Sequence, residues 1–377
     1  MWEYRLFNKL DFRTVPIILA IMAISLLIIG STTMAADQES VSLLQLPFVR
    51  NQCKWFGIGF LFYAFFAGLD YHKLRQFAWI GYVLILFLLL GLFFTTSIRH
   101  VHRWYQLPVL GIMFQPSDFA KLMMVITLSS FLEREGLNVS SKKTFFMALF
   151  LFFIPFMLIL KQPDLGSALV LMAMTIGMLY FGGANPFLVK TMSIGVSLVL
   201  SISVMVFLGI LPYQQMSALG SKVLKSYQIE RFNPSSYHHE SAKTSLALGK
   251  IKGSGWGKSI YMGRKYLPAA HTDSVFPAFV EEFGLMGAFF MLLLLFSLIY
   301  CSFQTTAVAK DHFGQVLAAG ISVYLTVHVI INIGMMCGFL PITGVPLLLV
   351  SYGGSSVVCT MSALGILQSI YIRRFMF

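Results

Sequence analysis

Asp273 is the residue of this sequence best placed to do chemistry, because it follows a long basic segment and directly precedes an apolar one. The segment 213–272 contains nine lysines and arginines but only two acidic residues. The basic residues are Lys222, Lys225, Arg231, Lys243, Lys250, Lys252, Lys258, Arg264 and Lys265. A carboxylate beside this much positive charge fits a general base that acts on an anionic substrate. The alternative is that Thr272 or Asp273 caps the helix that begins at Val275, and a helix N-terminus also favours an ionised carboxylate.

Glu281 and Glu282 are acidic residues inside the apolar run that follows Asp273. Ionisable residues within membrane spans are costly and are commonly functional. Glu281 comes eight residues after Asp273, near two helical turns, so the two side chains are expected on one helical face. We expect Glu281 to line a hydrated cavity, and pairing with a lysine is an equal alternative.

Asp118 and Lys121 open another apolar run and carry opposite charges three residues apart. This spacing puts them on one helical face, where they partly neutralise each other. They either shape a polar cavity or form a structural ion pair near the outer interface. Upstream, Arg103 and Trp104 place a cation beside an aromatic ring at membrane level, where most such rings are interface anchors.

Several glycine- and proline-containing stretches predict irregular backbone. Residues 253–258 are glycine-rich and basic, so their N–H groups have the means to face a phosphate, but the pattern is no Walker motif and plain loop flexibility explains it better. Residues 161–164 predict a tight outer hairpin. Residues 340–346 and 351–356 predict irregular backbone at the outer rim, which at membrane depth must be buried in protein or line a wet cavity.

The composition predicts an all-α integral membrane protein. The chain is 57% hydrophobic and 11% charged, with a mean hydropathy of +0.79, so it lacks the charges that a soluble surface needs. A membrane-spanning helix requires about 20 apolar residues. We predict about ten such helices in one polytopic domain, 1–377, with a long extracytoplasmic loop at 213–272 between the seventh and eighth. The predicted helices are 15–34, 54–69, 77–96, 118–132, 145–160, 166–181, 191–212, 275–301, 314–336 and 351–371, of which the fourth to sixth are short.

Charges in the short loops predict that both termini face the cytoplasm. With the N-terminus inside, the inner segments hold twelve lysines and arginines and the short outer segments hold five. Loops of about 60 residues escape this rule, so the basic segment is expected outside. The first apolar run exceeds the usual length of a cleaved signal and is expected to remain as an anchor. The net charge of +12 therefore reflects membrane topology and not nucleic-acid binding.

Five groups of short strings, taken together, resemble the shape, elongation, division and sporulation (SEDS) family of bacterial membrane proteins. Each string is weak alone, but they occur in the family's order over nearly the whole chain. The strings are Arg103-Trp104, Gln115-Pro116-Ser117 with Ala120-Lys121, Gln162-Pro163-Asp164-Leu165-Gly166-Ser167, His271-Thr272-Asp273 and Ser351-Tyr352-Gly353-Gly354-Ser355-Ser356. Residues 10–13, 281–284 and 340–346 are more similar to the rod-shape branch of this family than to its division branch.

The resemblance implies a peptidoglycan glycosyltransferase that polymerises lipid II at the outer face of the bacterial cytoplasmic membrane, together with a class B penicillin-binding transpeptidase. The family's catalytic aspartate falls on Asp273, and its acidic and lysine pair falls on Asp118 and Lys121. The other candidate substrate-binding residues are Arg103, Trp104, Lys258, His271, Thr272, Glu281, Ser351 and Ser355. No protein-bound metal or other cofactor is predicted, although the sequence leaves open whether a divalent cation joins the site. The four cysteines have no CxxC spacing and are expected to be small buried hydrophobic residues.

The implied reaction inverts the sugar linkage, because lipid II is α-linked and peptidoglycan is β-linked. A single displacement needs one base and no covalent glycosyl-enzyme. The pyrophosphate leaving group is already anionic, whereas the attacking hydroxyl is a poor nucleophile that gains roughly 10²–10⁴ in rate from a positioned base. Lysines and arginines near the mouth would stabilise the departing pyrophosphate.

The chain departs from the family pattern at several positions that bear on substrate positioning. Asp118 replaces the usual Glu, Ala269 replaces a Glu, Ser274-Val275 replaces Phe-Ile, and Lys243 occupies a common Gln position. Three other functions stay open: a lipid II flippase, a division polymerase, and a non-catalytic scaffold for a transpeptidase. A flippase needs alternating access and often has repeated halves, and no internal repeat is visible here.

Overall fold

The computed structural model describes residues 9–37, 43–95, 103–107, 112–220, 229–264 and 266–375. Three of the basic loop residues, Lys222, Lys225 and Lys265, lie outside the described residues. Arg5 and Arg99, which contribute to the charge bias across the membrane, also lie outside them.

The described chain is almost entirely helical. Its helices are α1 (Thr14–Asp37), α2 (Pro47–Gly68), α3 (His72–Gly91), α4 (Pro116–Glu135), α5 (Lys142–Lys161), α6 (Leu165–Phe181), α7 (Pro186–Phe207), α8 (Tyr213–Gly220), α9 (Tyr237–Gly249), α10 (Ile260–Gly263), α11 (Val275–Val308), α12 (His312–Met336) and α13 (Gly354–Ile372). Between α3 and α4, the strands β1 (Tyr105–Leu107) and β2 (Ile112–Phe114) form an antiparallel pair with Gln106 opposite Met113. Short 3-10 turns lie at Leu43–Gln45, Leu92–Phe94, Gly136–Asn138 and Arg373–Phe375.

A long helix is present at each of the ten predicted positions. By length and composition, seven of them are apolar enough to cross a membrane, namely α1, α3, α5, α7, α11, α12 and α13. Helix α6 is apolar but has only 17 residues, and α2 and α4 carry ionisable residues. The all-α, multi-pass membrane fold is therefore confirmed. The expectation that the fourth and fifth helices are short was wrong, since α4 and α5 have 20 residues each.

Helix α13 lies in the middle of the bundle, with almost every side chain after its first turn buried. It packs so closely along α2 that a Cβ atom at Gly365 would lie 2.6 Å from the main-chain oxygen of Tyr63. At the start of α13, a Cβ at Gly354 would lie 2.2 Å from the indole of Trp55. Small residues at these positions are therefore what allows α2 and α13 to approach each other.

Helix α11 is broken at Gly284, whose backbone (φ 66°, ψ −167°) is not helical. A break leaves main-chain groups without helical partners, and in an apolar setting they must be paired elsewhere. The glycine-rich part of the long loop pairs them: the N–H of Leu285 donates to the Lys250 carbonyl at 2.9 Å, and the N–H of Gly255 donates to the Glu282 carbonyl at 2.9 Å. Gly253 (φ 76°) leaves no room for a Cβ, which would lie 2.1 Å from that same Glu282 oxygen. The glycines of 253–258 thus fit the loop against α11.

Candidate functional site

A cavity of about 770 Å³ lies where the ends of several helices meet. It is lined by residues from α2, α4, α6, α12 and the start of α13, from the β1–β2 hairpin and its flanks, and from the segments before α11 and α13. The lining residues are Phe48, Asn51, Lys54, Trp55, Ile58, Arg103, Trp104, Met113, Gln115, Asp118, Lys121, Asp164, Ser167, Ala269, Thr272, Asp273, His328, Gly344, Val345, Pro346, Tyr352, Gly353, Gly354, Ser355 and Ser356.

The main chain around Asp273 is held in place by hydrogen bonds to two other segments. The N–H of Tyr352 donates to the His271 carbonyl at 2.8 Å, and the Ser351 hydroxyl donates to the Thr272 carbonyl at 2.6 Å. The side-chain amide of Asn332 donates to the carbonyl of Asp273 itself at 3.1 Å. These contacts fix the position of Asp273 before α11 begins.

The Asp273 carboxylate faces the cavity and accepts no hydrogen bond from the described residues. It does not cap α11, because the N-cap position is Ser274, which makes no side-chain capping bond. Burial raises the pKa of Asp273, and electrostatic interactions with His238 and with Arg103 oppose this rise. A carboxylate without a protein donor, turned toward an open space, is free to accept a proton from a bound molecule.

Asp118 and Lys121 form the ion pair that their spacing predicts. Lys121 Nζ lies 2.8 Å from Asp118 Oδ1, and Lys121 is only 1% exposed although it borders the cavity. Aspartate is therefore long enough for this pair, despite being one methylene shorter than glutamate. Lys121 Nζ also lies 3.3 Å from His328 Nε2 on α12.

Arg103 is bound to the turn between α5 and α6. It donates to the carbonyls of Gln162, at 3.1 Å, and Pro163, and its guanidinium lies 4.0 Å from the Asp164 carboxylate. Asp164 also caps α6 by accepting from the N–H of Ser167 at 3.2 Å. The tight hairpin predicted at 161–164 is present, and its carboxylate is also part of the cavity wall.

Gln115 links the remaining polar residues of the wall. Its side chain accepts from Trp104 Nε1 at 3.1 Å and donates to Asp164 Oδ2 at 3.3 Å, while its main-chain N–H donates to Ser355 Oγ at 3.1 Å. Trp104 therefore has a polar partner in the cavity wall and is more than a lipid-interface anchor. This network connects the β1–β2 hairpin to α4, α6 and α13.

Seven of the eleven residues singled out from the sequence line this cavity: Arg103, Trp104, Asp118, Lys121, Thr272, Asp273 and Ser355. His271 and Ser351 lie behind its wall. The His271 ring packs 5.2 Å from Phe48 and 6.1 Å from Tyr352, and the Ser351 hydroxyl is buried against main chain. Both support the lining and are not part of it.

The placement of Glu281 and Lys258 corrects the prediction for those two residues. Glu281 is 1% exposed and binds the long loop, accepting from Ser245 Oγ and from the N–H of Tyr261, both at 3.0 Å. It does not line the cavity, because Asp273 precedes the helix and the eight-residue spacing is not helical throughout, and it pairs with no lysine among the described residues. Lys258 is exposed and is not among the residues that line the cavity, and the N–H of neighbouring Gly257 donates to Glu282 Oε1 at 3.0 Å.

Sequence reasoning missed one entire wall of the cavity, the N-terminal part of α2. One side of α2 carries Phe48, Asn51, Lys54 and Trp55. Relative to Phe48 these are positions i, i+3, i+6 and i+7, which together fall on one helical face. The available signal was the group of polar residues that includes Asn51 and Lys54 directly before an apolar run. Among the residues that the structure describes, no His, Cys, Asp and Glu side chains are grouped so as to hold a metal ion.

Comparison with known proteins identifies the family. Residues 12–374 match the FtsW/RodA/SpoVE family, described as cell cycle proteins. The chain is 34% identical over 286 residues to the peptidoglycan glycosyltransferase MrdB of Escherichia coli K12, covering 73% of this chain and 72% of that protein. It is 30% identical over 337 residues to the stage V sporulation protein E of Bacillus subtilis, covering 86% of each.

Solved structures share the fold. The rod shape determining protein RodA of Thermus thermophilus aligns with a TM-score of 0.70 at 23% identity, covering 98% of each chain. A chain from a structure described as the coordination of polymerization and crosslinking by a peptidoglycan synthase complex aligns with a TM-score of 0.74 at 24% identity, covering 98% of this chain and 99% of that one. The predicted similarity to the rod-shape branch is thus confirmed, and this chain belongs to the FtsW/RodA/SpoVE family.

Proposed function

We propose that this chain is a RodA-like peptidoglycan glycosyltransferase that polymerises lipid II at the outer face of the bacterial inner membrane, with Asp273 as the general base. One observation carries the assignment of the base. The Asp273 carboxylate accepts no hydrogen bond from the described protein and faces a cavity whose wall contains Lys54, Arg103 and Lys121. The family membership and the MrdB relatives support the activity itself.

The residues at the cavity fit a single displacement. A sugar hydroxyl of the acceptor attacks the anomeric carbon of the donor, a new C–O glycosidic bond forms, and the C–O bond to the pyrophosphate breaks. Asp273 accepts the hydroxyl proton, and the pyrophosphate leaves as an anion without needing an acid. One base on the attacking side agrees with inversion at the anomeric carbon.

The cations of the cavity are suited to the pyrophosphate. Lys121 and Arg103 are held by protein contacts, so their charges are already oriented before substrate arrives. Lys54 is exposed on α2 and is free to reach a headgroup that enters from the membrane surface. Trp104, Thr272 and Ser355 add polar and aromatic surface for the sugars.

The cellular role that follows is cell-wall elongation and control of cell shape. The proposed partner is a class B penicillin-binding transpeptidase, which crosslinks the strands that this chain polymerises. The structural similarity to a chain of a peptidoglycan synthase complex, in which polymerization is coordinated with crosslinking, supports that partner. Membrane lipids are the further proposed partners, because seven helices are long and apolar enough to cross a membrane.

Polymerisation of fluorescent lipid II by the purified full chain, alone and with its transpeptidase, tests the function. Asp273→Asn keeps the size of the side chain and removes the base, so we expect it to fold and to polymerise at least about 100-fold more slowly. Glu240→Gln, a loop carboxylate that is exposed and away from the cavity, is the matched control and should polymerise normally. Wild-type polymerisation by folded Asp273→Asn would refute the assignment of the base.

The same preparations separate the enzyme from its rivals. In vesicles, a flippase would transport lipid II whether or not the lipid is polymerised. A glycosyltransferase should lose polymerisation in Asp273→Asn whether or not lipid II is transported. A non-catalytic scaffold would show no polymerisation by the wild-type chain with or without its transpeptidase.

A further inference from the structure

We propose that His328 is a positioning residue for Lys121: its neutral imidazole accepts a hydrogen bond from the ammonium group and orients that group toward the substrate. His328 lies on α12, outside the strings that carry the family resemblance. The inference deepens the proposed function and rests on it, because the substrate that Lys121 faces is the pyrophosphate-linked sugar.

The geometry brings three side chains together at the cavity wall. Lys121 Nζ lies 2.8 Å from Asp118 Oδ1 and 3.3 Å from His328 Nε2. Lys121 and His328 are each 1% exposed and Asp118 is 6% exposed, yet all three border the cavity. A cluster this enclosed exchanges little with bulk water, so its hydrogen bonds determine where the ammonium group points.

The chemistry of the donors decides the state of the imidazole. An ammonium group has three N–H donors and no acceptor, so His328 Nε2 must accept the bond from Lys121. The ring proton is then on Nδ1, which lies 3.4 Å from the carbonyl oxygen of Pro346, an acceptor. Both ring nitrogens therefore face partners of the correct kind only when the ring is neutral. A protonated ring would instead place two cations against each other.

This arrangement leaves one N–H of Lys121 for the cavity. Among the described residues, the ammonium group has hydrogen-bonding partners only in Asp118 and His328. The Tyr324 ring lies 6.0 Å from Nζ and packs against the His328 ring at 4.7 Å, which limits movement toward the bundle interior. Two N–H groups of Lys121 are therefore held, one by Asp118 on α4 and one by His328 on α12. The third N–H group is aimed at an anionic oxygen of the bound pyrophosphate lipid.

Asp118 alone does not achieve this orientation. It lies on the same helix as Lys121, three residues before it, so the pair moves together with α4 and a flexible lysine side chain keeps several ways to reach the carboxylate. His328 adds a second fixed point on a different helix. The lysine is therefore oriented relative to α12 and to the Pro346 segment, which also border the cavity.

The test compares two substitutions of His328 in the full chain. His328→Gln keeps an acceptor for Lys121 and a donor for Pro346, whereas His328→Phe fills similar space with neither. We expect His328→Gln to stay within about threefold of the wild-type kcat/KM for lipid II polymerisation and His328→Phe to lose about ten- to a hundredfold, the usual effect of a hydrogen bond to a charged group. His239→Phe, the same change at another fully buried histidine away from the cavity, is the control and should polymerise normally.

A second measurement shows whether His328 acts through Lys121. The affinity for undecaprenyl pyrophosphate, measured by native mass spectrometry or thermal shift, is compared for His328→Phe in the wild-type and Lys121→Met backgrounds. We expect the loss to be about tenfold or more with Lys121 present and to vanish without it. Equal losses in both backgrounds, or wild-type affinity and turnover in His328→Phe, would overturn the proposal. If His328→Phe does not fold, His328→Leu takes its place.

This design also separates the inference from the proposed function. Absence of polymerisation by the wild-type chain would refute the glycosyltransferase assignment and leave the affinity measurement to decide on His328. If the wild-type chain polymerises normally but the effect of His328→Phe on the affinity for undecaprenyl pyrophosphate does not depend on Lys121, only the positioning role is refuted.

Discussion

The side-chain amide of Asn332 donates to the main-chain carbonyl of Asp273 at 3.1 Å and to that of Val345 at 2.7 Å. Asn332 is fully buried on α12. It thereby joins the proposed base to the segment before α13, where a Cβ atom at Gly344 (φ 75°) would lie 3.5 Å from Asp273 Oδ2. The position of the base is therefore set from α12 as well as from its own segment.

Asn332→Ala should lower polymerisation and stability together. Removing the amide leaves two buried carbonyls without this donor, which costs about 1–3 kcal/mol, and it releases the main chain at Asp273. We expect a loss of at least about tenfold in kcat, because a misplaced base catalyses poorly. Ser322→Ala on the same helix removes a hydroxyl whose hydrogen-bond partner among the described residues is the Ala318 carbonyl alone, so it should keep normal kcat. Equal kcat in the two variants would show that Asn332 has no role in positioning the base.

The acid limit of polymerisation should lie at a higher pH than an ordinary aspartate would give. The base works only when it is ionised, and burial raises the pKa of Asp273, so activity is present above that raised pKa and falls as the pH drops through it. Arg103 opposes the rise in the pKa of Asp273, so Arg103→Gln should move the acid limit of polymerisation to a still higher pH, whatever it does to the maximal rate. Arg13→Gln, at the far end of the bundle, should leave the acid limit unchanged. An acid limit that moves to lower pH in Arg103→Gln would contradict Asp273 as the titrating group.

Much of the fold and part of the site can be predicted from the sequence because they depend on local signals. Apolar runs longer than a membrane span show where the helices are, and the Asp118–Lys121 spacing alone predicts their ion pair. The α2 wall is different, because the direction of Lys54 and Asn51 depends on packing against α13 and not on their neighbours in sequence. The same is true of the pairing between Gly253 and the break at Gly284, which joins residues from separate elements. His328 and Asn332 were missed for this reason too.

Orientation in the membrane remains a prediction from the twelve-to-five excess of lysine and arginine in the short inner loops. Cysteine at Ser235, which is exposed in the long loop, should react with an impermeant maleimide in intact cells. Cysteine at Leu137, fully exposed in the turn between α4 and α5, should react only after permeabilisation. Both are best read in a background without Cys53, Cys301, Cys337 and Cys359. The reverse pattern would invert the topology and move the cavity to the cytoplasmic side.

Replacing His239 should stabilise the docking of α9 and remove part of its sensitivity to acid. His239 is fully buried against Phe207, with ring centroids 4.7 Å apart, and neither ring nitrogen has a hydrogen-bond partner among the described residues. Burial, followed by the charges of Lys243 and His238, lowers the pKa of His239 from 6.5 to about 4. The undocked ring therefore takes up a proton at a higher pH than the docked ring does.

Because the docked histidine binds the proton less readily, docking is favoured fully above pH 6.5 and weakens as the pH falls from 6.5 toward 4. The size of this effect is at most about 3.5 kcal/mol, since each unit of pKa difference corresponds to about 1.4 kcal/mol. His239→Phe keeps the contact with Phe207 and has no ring nitrogen to protonate. We expect it to raise the midpoint of thermal unfolding at pH 7.5 and to reduce the drop between pH 7.5 and pH 5. Exposed His312→Phe should leave that drop unchanged, and a drop of wild-type size in His239→Phe would mean that another group, and not His239, makes the loop acid-sensitive.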